Sequence, residues 1–184
     1  MPSRSKRAKS LRALFAQIPE DDEILEILLD LATQADRIAA IVGGAILEDR
    51  LRRTLMRYLT SGLSVDDHQD HLFSETTNGP LSTFDAKTRL AYCLGIINAT
   101  EKSDIDNIRR IRNGFAHSIP HHAFGSMEIY NACIDLNIVK ESLFSAGVIP
   151  DTVTSLRGNF LGAKGLYVLA IGQYHWRLRI HYPS

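Results

Sequence analysis

Apolar residues return every three or four positions along most of this chain, and no stretch shows a persuasive every-second-residue alternation. That period constrains the fold more than any other feature, because it puts apolar side chains on one face of a helix and scatters them over both faces of a strand. The longest run is Ile24, Ile27, Leu28, Leu31, Ala35, Ile38, Val42 and Ala45, and it resumes with Met56 and Leu59. Glu20, Asp21, Asp22 and Glu23 precede it and suit the positive end of a helix dipole. One long helix is expected here, with Gly43-Gly44 marking a kink or a close helix contact rather than a break.

Other segments read the same way. Leu11 to Gln17 is a short helical piece ending before Pro19. Ser61 to Leu81 reads as a loop, with turn chemistry at Asn78-Gly79-Pro80. Ser82 and Asp85 form a capping box that opens a helix to about Ile97, with Phe84, Thr88, Ala91 and Leu94 inward. Ser103 and Asp106 form another, opening a helix whose apolar stripe is Ile105, Ile108, Ile111 and Phe115 and which Pro120 stops. Ser126 to Leu136 is helical through Ile129, Cys133 and Leu136, so Cys133 reads as a small core residue. Asn137 to Ala146 continues as a helix or breaks into two turns, and Gly147 to Pro150 is a linker. A last long helix is expected over Asp151 to Arg179, through Val153, Leu156, Phe160, Ala163, Tyr167, Ala170 and Tyr174. Gly158, Gly162 and Gly165 would allow close packing in it. The end of the chain, His175 to Tyr182, is basic and aromatic and reads as a core anchor with a charged exit, though Trp176 and Leu178 also suit a partner chain. The expected architecture is all-α: a single-domain bundle of about six helices over residues 20–179, with a basic tail and short helix at 1–19 and a tail at 180–184.

Composition narrows the function classes. The formal net charge is zero, which argues against a whole-protein nucleic-acid clamp and leaves room for a local basic patch. Two cysteines without a CxxC pattern give neither a disulfide framework nor a zinc site. Arg4, Lys6, Arg7 and Lys9 form a loosely docked basic tail, and no long apolar run follows them, so no signal peptide, no membrane partner and a cytoplasmic location are expected. His68-x-x-His71 lies among Asp66, Asp67 and Asp70; it reads as a solvated acidic loop, since metal binding would need a helix and a third ligand. No metal and no cofactor are expected.

Charges fall where packing is expected. Asp49 and Arg52 occupy the stripe between Ala45 and Met56, flanked by Glu48 and Arg53. Lys87 lies in the inward arc of its helix. Arg112 sits between Ile108 and Ala116 at the edge of its stripe, beside a polar line of Arg109, Asn113 and His117. These residues, from three helices, need partners: either one another, as a buried network, or a phosphate or RNA ligand.

Gly79-Pro80-Leu81-Ser82-Thr83-Phe84-Asp85-Ala86-Lys87, Leu90 to Ile97, Ile108 to His117 and Leu47-Glu48-Asp49-Arg50-Leu51 together resemble the mannitol operon repressor family, over roughly residues 20 to 178. The resemblance implies a self-associating all-α protein with a regulatory role, acting mainly through protein association. It implies no DNA-reading helix-turn-helix, and none is visible, so specific DNA binding is not expected. Arg112-Asn113-Gly114-Phe115-Ala116-His117 also resembles the R-x4-H motif of the HEPN superfamily, many of whose members are metal-independent ribonucleases and dimers. That resemblance implies a HEPN-like fold and an alternative activity on RNA. His117 would move a proton, Arg112 would stabilise charge on phosphate, and Asn113 would orient them. A nucleotide-sensing module using the same charges without chemistry is a third reading. A homodimer is expected, and a protein partner and RNA are the further partner classes these readings leave open.

Overall fold

The computed structural model describes residues 21–59, 71–74, 78–118, 122–145 and 162–180. Among them are seven full helices, a further helical stretch at 71–73 and no strand: α1 Asp21–Leu31, α2 Asp36–Leu59, α3 Phe84–Cys93, α4 Ala99–His117, α5 Met127–Ile134, α6 Asn137–Ser145 and α7 Ala163–Ile180. The fold is all-α, as the helical period dictates. The central pair is α2 against α7. α1, α5 and α6 lie against α7, while α3 and α4 cover the other side of α2. None of the helices is long and apolar enough to cross a membrane.

The long first helix of the sequence reading is two helices. The break falls at residues 32–35, well before the glycine pair. Asp30 builds the turn: its carbonyl accepts from the Thr33 amide at 2.9 Å and hydroxyl at 2.8 Å, and its carboxylate from Gln34 at 2.9 Å. A break resets the helical phase. Downstream, the buried face is Ala39, Ala40, Gly43, Gly44, Leu47, Leu51 and Leu55, while Ala35, Ile38 and Ala45 face outward. α2 runs unbroken through Gly43-Gly44, and the pair makes the close helix contact expected of it. A β-carbon at Gly43 would stand 2.6 Å from Ile171 Cδ1 of α7, and one at Gly44 2.6 Å from Arg112 Cγ of α4.

Two helix starts also differ from expectation. The N-cap of α3 is Thr83, not Ser82, and accepts from the Ala86 amide at 3.1 Å. α3 stops at Cys93 through a paired C-terminal bond set, Ile96 N to Ala91 O at 2.9 Å and Gly95 N to Tyr92 O at 3.0 Å, with Gly95 at φ +70°. α4 begins at Asn98, whose side chain accepts from Glu101 N at 2.9 Å while Glu101 accepts from Asn98 N at 2.8 Å. Ser103 and Asp106 therefore lie inside α4. Its stripe Ile105, Ile108, Ile111 and Phe115 is buried as the period requires.

Residues 137–145 form a separate helix, started by a buried carboxylate from elsewhere: Asp104 accepts from the Asn137 and Ile138 amides at 3.0 and 2.9 Å. Cys133 is in the core, and burial pushes its thiol up to about 12. On α7, Ala163, Tyr167, Ala170, Tyr174 and Leu178 are buried. Leu178 is thus a core residue rather than a docking residue, and Trp176 is half-buried under the Arg179 guanidinium. Gly162 faces open space, so it provides no helix packing. Leu11 to Gln17, the basic tail, His68, Val153, Leu156, Phe160 and Tyr182 lie outside the described residues.

Candidate functional site

A cleft of about 310 Å³ opens where α2, α3 and α4 meet. Glu48 of α2 lines one wall. Ser82, Thr83, Phe84 and Asp85 at the start of α3 line another, and Arg109, Arg112, Asn113 and His117 of α4 line the third. The i, i+4, i+8 spacing of Arg109, Asn113 and His117 sets them along one edge of α4.

The charges are partly spent on one another. Lys87 is only 3% exposed, and its Nζ donates to Glu48 Oε1 at 2.8 Å and to the Ser82 carbonyl at 2.9 Å. Glu48 Oε2 stands 4.0 Å from Arg112 Nη2, near enough for attraction and too far for a hydrogen bond. Arg112 Nη1 donates to Asn113 Oδ1 at 2.9 Å. The Arg112 stem lies over α2 in the notch left by Gly44. Arg109 Nη2 is 2.9 Å from Asp85 Oδ1 and donates to Asp106 Oδ1 at 3.3 Å. Arg89 holds the other oxygen of Asp85 at 2.7 Å, and Lys102 the other oxygen of Asp106 at 2.7 Å. Burial works to raise the Asp106 carboxyl, but bonds and charge from Lys102 and Arg109 outweigh it and hold the group below its ordinary range.

His117 is the last residue of α4 and is exposed. The helix end beside it is tied down, since Arg37 Nη2 donates to the Ser118 carbonyl at 2.7 Å. Arg112 and His117 thus border the same cleft, although five residues of helix turn their side chains roughly 140° apart.

Of the residues singled out from sequence, Glu48, Arg109, Arg112, Asn113 and His117 line the cleft, and Lys87 anchors its floor through Glu48. Asp49 and Arg52 do not join them. They pair with each other at 2.8 Å, and Asp49 also pairs with Arg53, along the flank of α2. The reset phase of α2 is the reason: it turns Glu48, not Asp49, toward α3 and α4. Asp85, Ser82 and Thr83 were missed as site residues; Asp85 looked like a cap. His71 is exposed and His68 lies outside the described residues, among which no group of side chains is arranged to hold a metal.

The site is a set of guanidinium and imidazole donors beside carboxylates that other cations already hold. Such a set binds anions or orders neighbouring helices. Comparison with known proteins gives it a context. No curated protein matches the chain. Among solved structures, one described as the X-ray structure of the MtlR-HPr complex from Escherichia coli is similar, at 18% identity and a TM-score of 0.61, covering 84% of this chain and 97% of that one. That likeness shows a shared fold. The mannitol repressor family matches residues 20–152, which include every residue of the cleft. The chain belongs to the mannitol repressor family.

Proposed function

We propose that the protein is a regulator that acts by associating with another protein. The observation that carries this reading is the family match over residues 20–152. A protein of the same fold solved in complex with HPr supports it. The partner proposed first is therefore the HPr of the same organism. Titration calorimetry with purified HPr should give saturable heat; none at partner concentrations near 1 mM, where even weak complexes form, would overturn HPr as the partner. Self-association belongs to the same proposal and is supported by the apolar side chains exposed on α1, Leu25 and Leu29.

One observation favours a second reading, cleavage of RNA: Arg112, Asn113 and His117 border one cleft, and His117 reaches solvent. In that reading His117 takes the 2′-hydroxyl proton, the 2′-oxygen bonds to phosphorus as the bond to the 5′-oxygen breaks, the departing 5′-oxygen takes a proton from water, and Arg112 stabilises the charge on the phosphoryl oxygens. Unstructured RNA incubated with the protein and a chelator should then yield 2′,3′-cyclic phosphate ends, lost in His117→Ala and Arg112→Ala. Equal inactivity of all three folded proteins would remove this reading and leave the regulatory one untouched.

A further inference from the structure

The donors of the cleft outnumber the acceptors that hold them. A guanidinium has five N–H groups. Arg112 spends one on Asn113, and its approach to Glu48 at 4.0 Å is not a hydrogen bond. Arg109 spends only its Nη2 edge, on Asp85 and Asp106. The Asn113 carbonyl oxygen accepts from Arg112, which leaves its NH2 group to point away from that bond. His117 adds an exposed ring. The two carboxylates that line the cleft carry cations of their own, Lys87 on Glu48 and Arg89 on Asp85. The Nε atoms of Arg109 and Arg112 are buried without a hydrogen-bond partner, so only the outer nitrogens of each fork can reach a ligand; the Arg112 stem packs over Gly44, and Asp85 and Asp106 fix Arg109.

We propose that this cleft is an effector site for a small phosphomonoester, with Arg112, Arg109, Asn113 and His117 as donors to the phosphoryl oxygens. This goes beyond the regulatory reading and does not depend on the identity of the protein partner. Fixed guanidinium forks match the planar pairs of oxygens on a phosphoryl group, and a dianion gains from two of them at once. The cleft, at about 310 Å³, is at the small end of ligand sites. Its donor set is ringed by carboxylates: Asp85 and Asp106 flank Arg109, and Glu48 faces Arg112. One compact dianion fits within that ring. A longer polyanion such as RNA would run onto carboxylates on either side.

The test is calorimetry of the full chain with inorganic phosphate and with glycerol 3-phosphate, beside glycerol and sodium chloride of matched ionic strength. Saturable binding is expected for the two phosphates alone. Losing one charge-assisted donor should weaken it about tenfold in His117→Gln, and more in Arg112→Gln. Arg110→Gln removes the same charge from another face of α4 and should bind as the wild type does. His117 is exposed at a helix end, so its variant stays folded even if the Arg112 variant does not. No saturable heat with either phosphate at roughly 10 mM, well above weak-ligand dissociation constants, overturns the proposal. So does equal weakening in Arg110→Gln, which would mark a diffuse charge effect. Displacement of glycerol 3-phosphate by a short oligoribonucleotide that is then cleaved would replace it with the ribonuclease reading.

Discussion

Asp104 takes four hydrogen bonds on two oxygens. Oδ1 accepts from Asn137 N and Nδ2 at 3.0 and 2.9 Å, and Oδ2 from Ile138 N at 2.9 Å and the Tyr174 hydroxyl at 2.8 Å. One side chain of α4 thereby starts α6 and holds α7. Asp104→Ala strands these buried donors and should cost about 3 kcal/mol in urea unfolding; a cost below roughly 1 kcal/mol, the worth of one ordinary bond, would refute the role. Nothing in the sequence announced it, because a carboxylate one position before Ile105 reads as a solvated helix face until its distant partners are known. Cys133 was legible, since it fell on an apolar stripe. In the folded protein Cys93 is exposed and Cys133 buried, so a thiol reagent should label Cys93 alone until denaturant is added. The same burial sets a pH dependence. The Cys133 thiol ionises near 9.0 when unfolded and near about 12 when folded, so the unfolded chain releases its proton first. Its contribution is intact below pH 9.0 and is lost as pH rises from there toward about 12. Denaturation midpoints measured from neutral pH upward should fall across that window and should fall less in Cys133→Ala.

At the scale of the helix, the two glycines of α2 make different demands. Alanine at 43 meets the terminal methyl of Ile171, which can turn aside, though the Tyr167 ring is also near at 3.1 Å. Alanine at 44 meets Cγ and Cβ of Arg112, at 2.6 and 2.9 Å, and those atoms are fixed to the α4 backbone. Helix propensity returns about 1 kcal/mol in either case. Overpacking at 44 should exceed it, giving a net loss of about 1 kcal/mol, with a smaller change at 43; the reverse order in thermal unfolding would contradict the packing. Gly95 sits at φ +70° with open space around it, so Gly95→Ala should lose about 1 kcal/mol from backbone strain alone. The inward stripes of α3 and α4 were legible because each helix is one uninterrupted period. The stripe of α2 was not, since four residues of turn at 32–35 rotate everything after them. That single error of phase placed Asp49 and Arg52 in the expected site beside Glu48, which alone of the three reaches the cleft.

For the whole molecule, the helical class and the family were both readable, because they depend on period and on runs of residues rather than on exact boundaries. The cleft itself was readable only in part: four of its residues share α4 and Glu48 stood out as a charge beside the expected core stripe, whereas Ser82, Thr83 and Asp85 depend on how three helices meet. The proposed self-association has its own test. Leu25 and Leu29 lie one turn apart on α1, and Leu29 is 67% exposed. Light scattering at micromolar concentration should report twice the chain mass, and Leu29→Glu should return it to one; a wild-type monomer would end the proposal. The Gly44 notch, finally, works like a keyway cut for Arg112. A slip of α2 by one turn, about 5.4 Å, would bring Ala40 or Glu48 to the place of Gly44 and leave Arg112 no seat. Misregistered packings of these helices are therefore penalised by the very residue that arms the cleft. If the cleft binds phosphate as proposed, a refolding chain should regain that binding only when α2 and α4 have locked into register.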